Sequence, residues 1–291
     1  MAGQASTASG PALPGGAGPI RERMRGFQAG YGRELAVSGT AWRYYRLGQG
    51  PGVVWLTGGL RRAALGFGFM ELLASRYTVV APDYPALRTF GEFDRGLTAI
   101  LQAEGISRFH LVCQSYGGML GQAYLARHPA MVDRLVLSST GPADFSPLWL
   151  PAAYLLGVLV RVLPEHRVTG FLAGRLGSLL PAASREDEDW LALVRDTLRH
   201  DLTKADVASH FLVAADVIRT RAVRPGAFRA WDGRAVALSA ANDPTQGSRD
   251  RARYERLLGR PVTVISMGQA GHVACLTDPQ QYVAWLGQAL T

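Results

Sequence analysis

Short runs rich in Val and Leu, each separated from the next by a helix-length stretch, limit what this chain can fold into. The runs lie at residues 53–56, 77–81, 109–113 and 132–138. Helical patterns follow the first three, at residues 67–75, 92–104 and 116–127. Thr57-Gly58-Gly59 and Pro82-Asp83-Tyr84-Pro85 punctuate the strand ends, and Gly105 stops the third helix. Strands of this length alternating with helices imply βαβ units and a mostly parallel sheet. Upstream, residues 34–37 and 41–46 read as a hairpin around a Ser38-Gly39 turn.

The alternation then breaks. Between residues 141 and 227 there is no strand pattern, and residues 147–163, 168–180, 186–199 and 205–220 read as helices. Ser184 precedes an acidic first turn, and Thr203 with Asp206 has the spacing of a capping box. Alternation resumes with a strand at 235–240, a helix at 249–258 stopped by Gly259, a strand at 262–266 and a final helix at 279–290 behind Asp278. The expected architecture is an α/β fold with a doubly wound, mostly parallel sheet. A helical cap enters it after about the sixth strand. The core takes residues 30–140 and 228–291, and the cap takes 141–227. At 291 residues the chain is long enough for one large domain carrying such an insertion.

Composition excludes several classes. The longest uncharged apolar run, residues 148–160, is shorter than the roughly 20 residues a bilayer span needs. The formal charge of +8 comes from arginines scattered among acids, with Lys204 the single lysine. A nucleic-acid footprint would gather that charge on one face, so no nucleic-acid partner is expected. Residues 1–18, rich in Ala, Gly, Ser and Pro, read as a disordered tail without the apolar segment of a secretory signal. That composition points to the cytoplasm. Two cysteines, Cys113 and Cys275, make no disulfide framework and read as small buried apolar groups.

The strongest chemical signal is Cys113-Gln114-Ser115-Tyr116-Gly117-Gly118, at the junction of an apolar strand and a helix. It matches the G-x-S-x-G nucleophile elbow except for Cys113 in place of the first glycine. The demand behind the motif is steric. A sharp strand-to-helix turn holds the nucleophile in a strained conformation, so the residues two before and two after it must be small. Tyr116 then offers a backbone N–H at a helix N-terminus, where developing negative charge is stabilised.

From Phe109 to Ser138 the chain resembles alpha/beta-hydrolase-1 type domains. The resemblance rests on Ser-Tyr-Gly-Gly-Met, Ala126-Arg127-His128-Pro129 and Val132-Asp133-Arg134-Leu135-Val136-Leu137, and extends by pattern over residues 53–290. It implies a triad in the order Ser, acid, His. Of six histidines, His272 stands in the loop after the 262–266 strand, where such proteins place their base. Asp243, after the 235–240 strand, matches the acid position, and Asp144 is the alternative acid. The second oxyanion donor is expected from the loop after residues 53–56, at Gly59 with Leu60 as neighbour. Asp83 reads as a turn or cap residue, His110 as a packed strand residue and His128 as a helix C-cap. His210, near the apolar face of a cap helix, is a candidate for the pocket wall.

These readings imply a serine hydrolase that cleaves a carboxylic ester or related acyl bond through an acyl-enzyme, with no metal or organic cofactor. The apolar cap helices suggest a small apolar substrate. Cofactor-free peroxidases and C–C hydrolases use similar triads. Thr57-Gly58, where His-Gly is usual, and Asp83-Tyr84-Pro85-Ala86-Leu87 are similar to maspardin-like members, which implies a non-catalytic binding protein as the other reading.

Overall fold

The computed structural model describes residues 20–165, 167, 168, 170 and 185–291. The expected tail at 1–18, Ser184 and most of the helix expected at 168–180 lie outside the described residues.

The order opens with a helix that the sequence pattern does not announce, α1 (Ile20–Tyr31). Its apolar positions are few, and Gly26 and Gly30 weaken its propensity. Packing sustains it instead. Phe27 is buried, with ring centroids 5.1 Å from Tyr45 and 6.2 Å from Phe67. The hairpin follows as β1 (Gly32–Val37) and β2 (Thr40–Leu47), with Ser38 and Gly39 both at positive φ in the turn. Next come β3 (Gly52–Leu56), α2 (Phe67–Leu73), β4 (Thr78–Pro82), α3 (Phe90–Ala103), β5 (Phe109–Gln114), α4 (Tyr116–Arg127) and β6 (Val132–Ser138). Helix α3 starts two residues ahead of the apolar pattern because Thr89 caps it in a reciprocal box with Glu92.

After β6 the described residues hold helices, namely α5 (Leu150–Val162), α6 (Arg185–His200) and α7 (Lys204–Arg219). The Thr203–Asp206 capping box forms as its spacing implies. The chain then returns to the sheet through β7 (Arg234–Ser239), α8 (Asp250–Leu258), β8 (Val262–Ser266), the short α9 (Ala274–Thr277) and α10 (Pro279–Leu290). Asp278 caps α10 by accepting from the Gln281 N–H at 3.0 Å. No helix among the described residues is long and apolar enough to cross a membrane.

The eight strands form one sheet in the order β1-β2-β4-β3-β5-β6-β7-β8. The β1–β2 and β2–β4 pairs are antiparallel and the other five are parallel. Successive residues of the central strands feed different cores. Val53, Trp55, Val112 and Val136 pack on one side, and Val54, Leu56, Leu111 and Leu137 on the other. Covering both faces removes the need for a polar face, which is why these strands read as continuous apolar runs. The register aligns their carboxyl ends: Leu56 pairs with Cys113, Gln114 with Ser138, and Ser138 with Leu238. The loops after β3, β5, β7 and β8 therefore leave the sheet on one edge, where open α/β sheets bind ligands.

Candidate active site

The elbow begins with backbone geometry. Ser115 holds φ 52° and ψ −118°, a positive φ that a side-chain-bearing residue rarely adopts. Its N–H donates to the Ser138 carbonyl at 3.1 Å, and its carbonyl accepts from the Gly118 N–H at 2.8 Å. A Cβ on Gly117 would overlap the carbonyl oxygens of Leu56 and Thr57, so the helix approaches β3 only because position 117 is bare. Cys113 is accommodated in the same manner from the other side. Its sulfur lies where a Cβ on Gly121 would stand, so a glycine one helical turn further on makes room for the side chain that the motif normally lacks.

Three loops converge on Ser115. The His272 Nε2 lies 3.0 Å from the Ser115 Oγ, and the His272 Nδ1 lies 3.0 and 3.1 Å from the two Asp243 oxygens. A carboxylate only accepts, so the Nδ1 carries the proton and the Nε2 is free to accept from the serine hydroxyl. Asp243 is buried, which would raise its pKa, yet the His272 ring and the Thr245 N–H and hydroxyl hold it below the usual carboxylate range. Both loops are tied together by Asn242. Its Nδ2 donates to the Gln269 carbonyl at 2.9 Å, and its Oδ1 accepts from the Gly271 N–H at 2.9 Å.

Asp144 sits elsewhere, paired with Arg253 at 2.7 Å and Arg256 at 3.6 Å. The Asp83 carboxylate accepts from the Ala63 N–H at 2.6 Å and pins the loop after β3, with burial pushing its pKa up to about 6. His128 ends α4 with its Nε2 2.6 Å from Asp94. Half-buried His110 of β5 lies edge-on to Tyr77. Cys113 and Cys275 are both free and buried.

Several contributors escape the sequence reading. The Thr245 hydroxyl donates to Asp243 at 2.7 Å and lies 3.1 Å from the His272 Nδ1. Only its place two residues after the acid, an Asx-turn position, hints at this. The Gln114 Nε2 donates to the His272 carbonyl at 3.2 Å. Gly58 and Gly59 both line the inner cavity with Ser115: a Cβ on Gly58 would stand 3.3 Å from the Ser115 Cβ, and a Cβ on Gly59 would face the His210 ring. His210 stacks on Tyr116 with centroids 3.9 Å apart, and the Tyr116 hydroxyl donates to the His210 carbonyl at 3.2 Å. Burial, reinforced by the Arg61 charge, lowers the His210 pKa to about 3, so its ring is neutral at pH 7.

Two cavities reach Ser115. The inner one, about 240 Å³, is lined by apolar groups that include Trp55, Leu65, Leu198, Leu202 and Leu276. The outer one, about 750 Å³, runs past Met119, Phe145, Trp149 and Leu156 towards Asp250 and Arg253. Ser115, His210 and Phe211 line both.

The profile of the Alpha/beta hydrolase family matches residues 37–285. An uncharacterised protein of Mycobacterium tuberculosis is 29% identical over 175 residues, covering 50% of this chain and 50% of that protein. The chain thus spans about half the length of the first curated relatives it matches. Among solved structures, the enol-lactonase from Burkholderia xenovorans LB400 superposes with a TM-score of 0.69 at 20% identity, covering 89% of this chain and 99% of that one. The haloalkane dehalogenase DbeA from Bradyrhizobium elkani gives 0.65 at 20% identity, over 89% and 98%. At those identities the likeness is one of fold, and it agrees with a family match that spans most of the chain: this protein belongs to the alpha/beta hydrolase family.

Proposed function

We propose that the protein is a serine hydrolase that cleaves a carboxylic ester, or a related acyl bond, of a small apolar substrate through an acyl-enzyme. The observation that carries this reading is the unbroken chain from the Ser115 Oγ through His272 to Asp243, with contacts of 3.0 Å at each link. A serine hydroxyl is a poor nucleophile at neutral pH until such a base removes its proton. The Ser115 Oγ attacks the acyl carbon while its proton passes to the His272 Nε2. Asp243 holds the ring in the required tautomer and stabilises the imidazolium. The carbonyl π electrons move to oxygen, and that oxyanion sits on the backbone N–H groups of Tyr116 and Gly59. Collapse breaks the bond to the leaving group, which departs with the proton from His272. Water then gives a proton to the same Nε2 and attacks the acyl-serine, releasing the acid and restoring Ser115.

The inner cavity supports the apolar acyl group. Its volume is about 240 Å³ and its lining is mostly apolar. Neutral His210 adds no charge to that wall. The helical segment between β6 and β7 caps the site, since Leu198, Leu202 and Phe211 from it close the cavity over Ser115.

A fluorophosphonate probe tests the reading. It labels the wild type, and labelling disappears in Ser115→Ala. Folded wild-type protein that neither reacts with the probe nor turns over a panel of chromogenic esters overturns the proposal and leaves a binding role.

A further inference from the structure

Helix α5 is exposed in a way its composition makes costly. Every large apolar side chain that stands exposed among the described residues, apart from Val264, lies between Phe145 and Val162. Leu148 is 88% exposed, Val162 71% and Leu155 65%, while Gly157 and Val160 are the buried positions of the helix. The helix carries one charge, Arg161, and its main packing partner is α7. An apolar patch of this size on a protein surface marks a site of interaction. Two features say with what. Trp149 and Tyr154 are amphipathic aromatics of the kind that settle at a membrane–water boundary. Beside the helix, Arg161, Arg88 and Lys204 line a surface cavity of about 300 Å³ that has no acidic lining residue.

We infer that α5 docks on an anionic lipid surface, with Leu148, Leu155 and Val162 entering the acyl boundary and Arg88, Arg161 and Lys204 meeting the headgroups. A helix with a broad apolar face and basic neighbours lies in the plane of such an interface. A two-fold contact with a second copy is the poorer occupant. It would bring the same basic cluster of two chains, each of formal charge +8, into one interface without a counter-charge. Of the acids nearby, Glu165 adds one negative charge just past the helix against three basic groups, Asp216 is engaged with Arg219 at 2.6 Å and with the Phe90 N–H at 3.0 Å, and Asp206 is engaged with Arg62 at 2.8 Å. Docking has a consequence for access. Phe145, Trp149 and Leu156 are exposed and also line the outer cavity that reaches Ser115, so the lipid would lie at its mouth.

The test is co-sedimentation of the full chain with extruded vesicles of phosphatidylcholine alone and of phosphatidylcholine with about 30 mol% phosphatidylglycerol. It reads binding, so its failure is separate from any failure of the hydrolase reading. The protein is expected to partition onto the anionic vesicles and not onto the neutral ones. Leu155→Glu with Val162→Glu, neither of which lines either cavity at Ser115, should weaken partitioning by at least about tenfold with thermal melting unchanged. Arg88→Gln, Arg161→Gln and Lys204→Gln together should weaken it by about 100-fold. Absence of binding to anionic vesicles overturns the inference, as does equal binding by the Glu pair. A dimer seen by light scattering that the Glu pair dissolves, without vesicle binding by the wild type, assigns the face to a second copy instead.

Discussion

At Ser115 a side-chain-bearing residue occupies a backbone region that costs of order 1–3 kcal/mol, and two backbone hydrogen bonds hold it there. Its neighbours are chosen by charge. Asp144 and Asp243 both follow strands, but Asp144 is drawn to Arg253 and Arg256, which leaves Asp243 to orient His272. Asp243→Asn is therefore expected to lower kcat by about 10⁴-fold, since an amide favours the wrong imidazole tautomer. Asp144→Asn should stay within about twofold, because no contact links it to the reacting atoms. Steady-state ester kinetics on both variants checks this, and equal losses would remove Asp243 from the mechanism.

His210 makes a second residue-scale prediction. Its folded-state pKa, about 3, lies below the roughly 6.5 of an unfolded chain. The unfolded state then binds the extra proton first. Stability from this group is complete above pH 6.5 and drains away as pH falls towards 3. Between pH 7 and pH 5 the loss should be about 2 kcal/mol, read by urea denaturation. His210→Gln should lack that component. Identical pH dependence in the two proteins would show that the ring does not resist protonation.

Among elements, the junction of β5 and α4 shows how one departure from a motif is absorbed. Cys113 fits because Gly121 is bare, and α4 keeps its place on β3 because Gly117 is bare. Gly121→Ala should destabilise by about 1–3 kcal/mol through overlap with the Cys113 sulfur. Adding Cys113→Ala should recover at least half of that loss in a denaturation experiment, whereas strictly additive effects would mean the two side chains do not meet. The loop after β3 is braced across elements in a similar way. Buried Arg61 donates to the Tyr84 carbonyl at 3.3 Å and to the Ser209 Oγ of α7 at 3.0 Å, linking that loop to the helical segment.

For the whole molecule, the cavities at Ser115 are shared property of the sheet edge and the helices between β6 and β7. Val207 of α7 lines the inner cavity and not the outer one. Val207→Trp should fill the inner space and lower kcat/KM for octanoyl esters by about tenfold or more relative to acetyl esters, as loss of apolar acyl burial implies. An unchanged chain-length profile would mean that the acyl group lies in the outer cavity instead.

Much of this is legible from local patterns. Buried strands show as apolar runs, their ends as Gly and Pro, and the turn at Ser115 as a demand for small neighbours. These suffice for the α/β alternation, for the helical interruption after β6, and for Ser115, Asp243 and His272 as candidates. Helix α1 stays hidden because Phe27 holds it through tertiary contact and not through propensity. Gln114 and Gly58 stay hidden for a related reason, since each faces a partner brought near by tertiary structure, and Thr245 reaches His272 only because the loops after β7 and β8 meet. Local sequence determines which backbone each segment can adopt, since propensity, capping and side-chain period act over a few residues. Tertiary structure alone decides which loops meet, which of two aspartates finds the histidine, and which apolar helix is left facing outward, because those outcomes depend on contacts between residues that are 29 positions apart for Asp243 and His272 and 157 for Ser115 and His272.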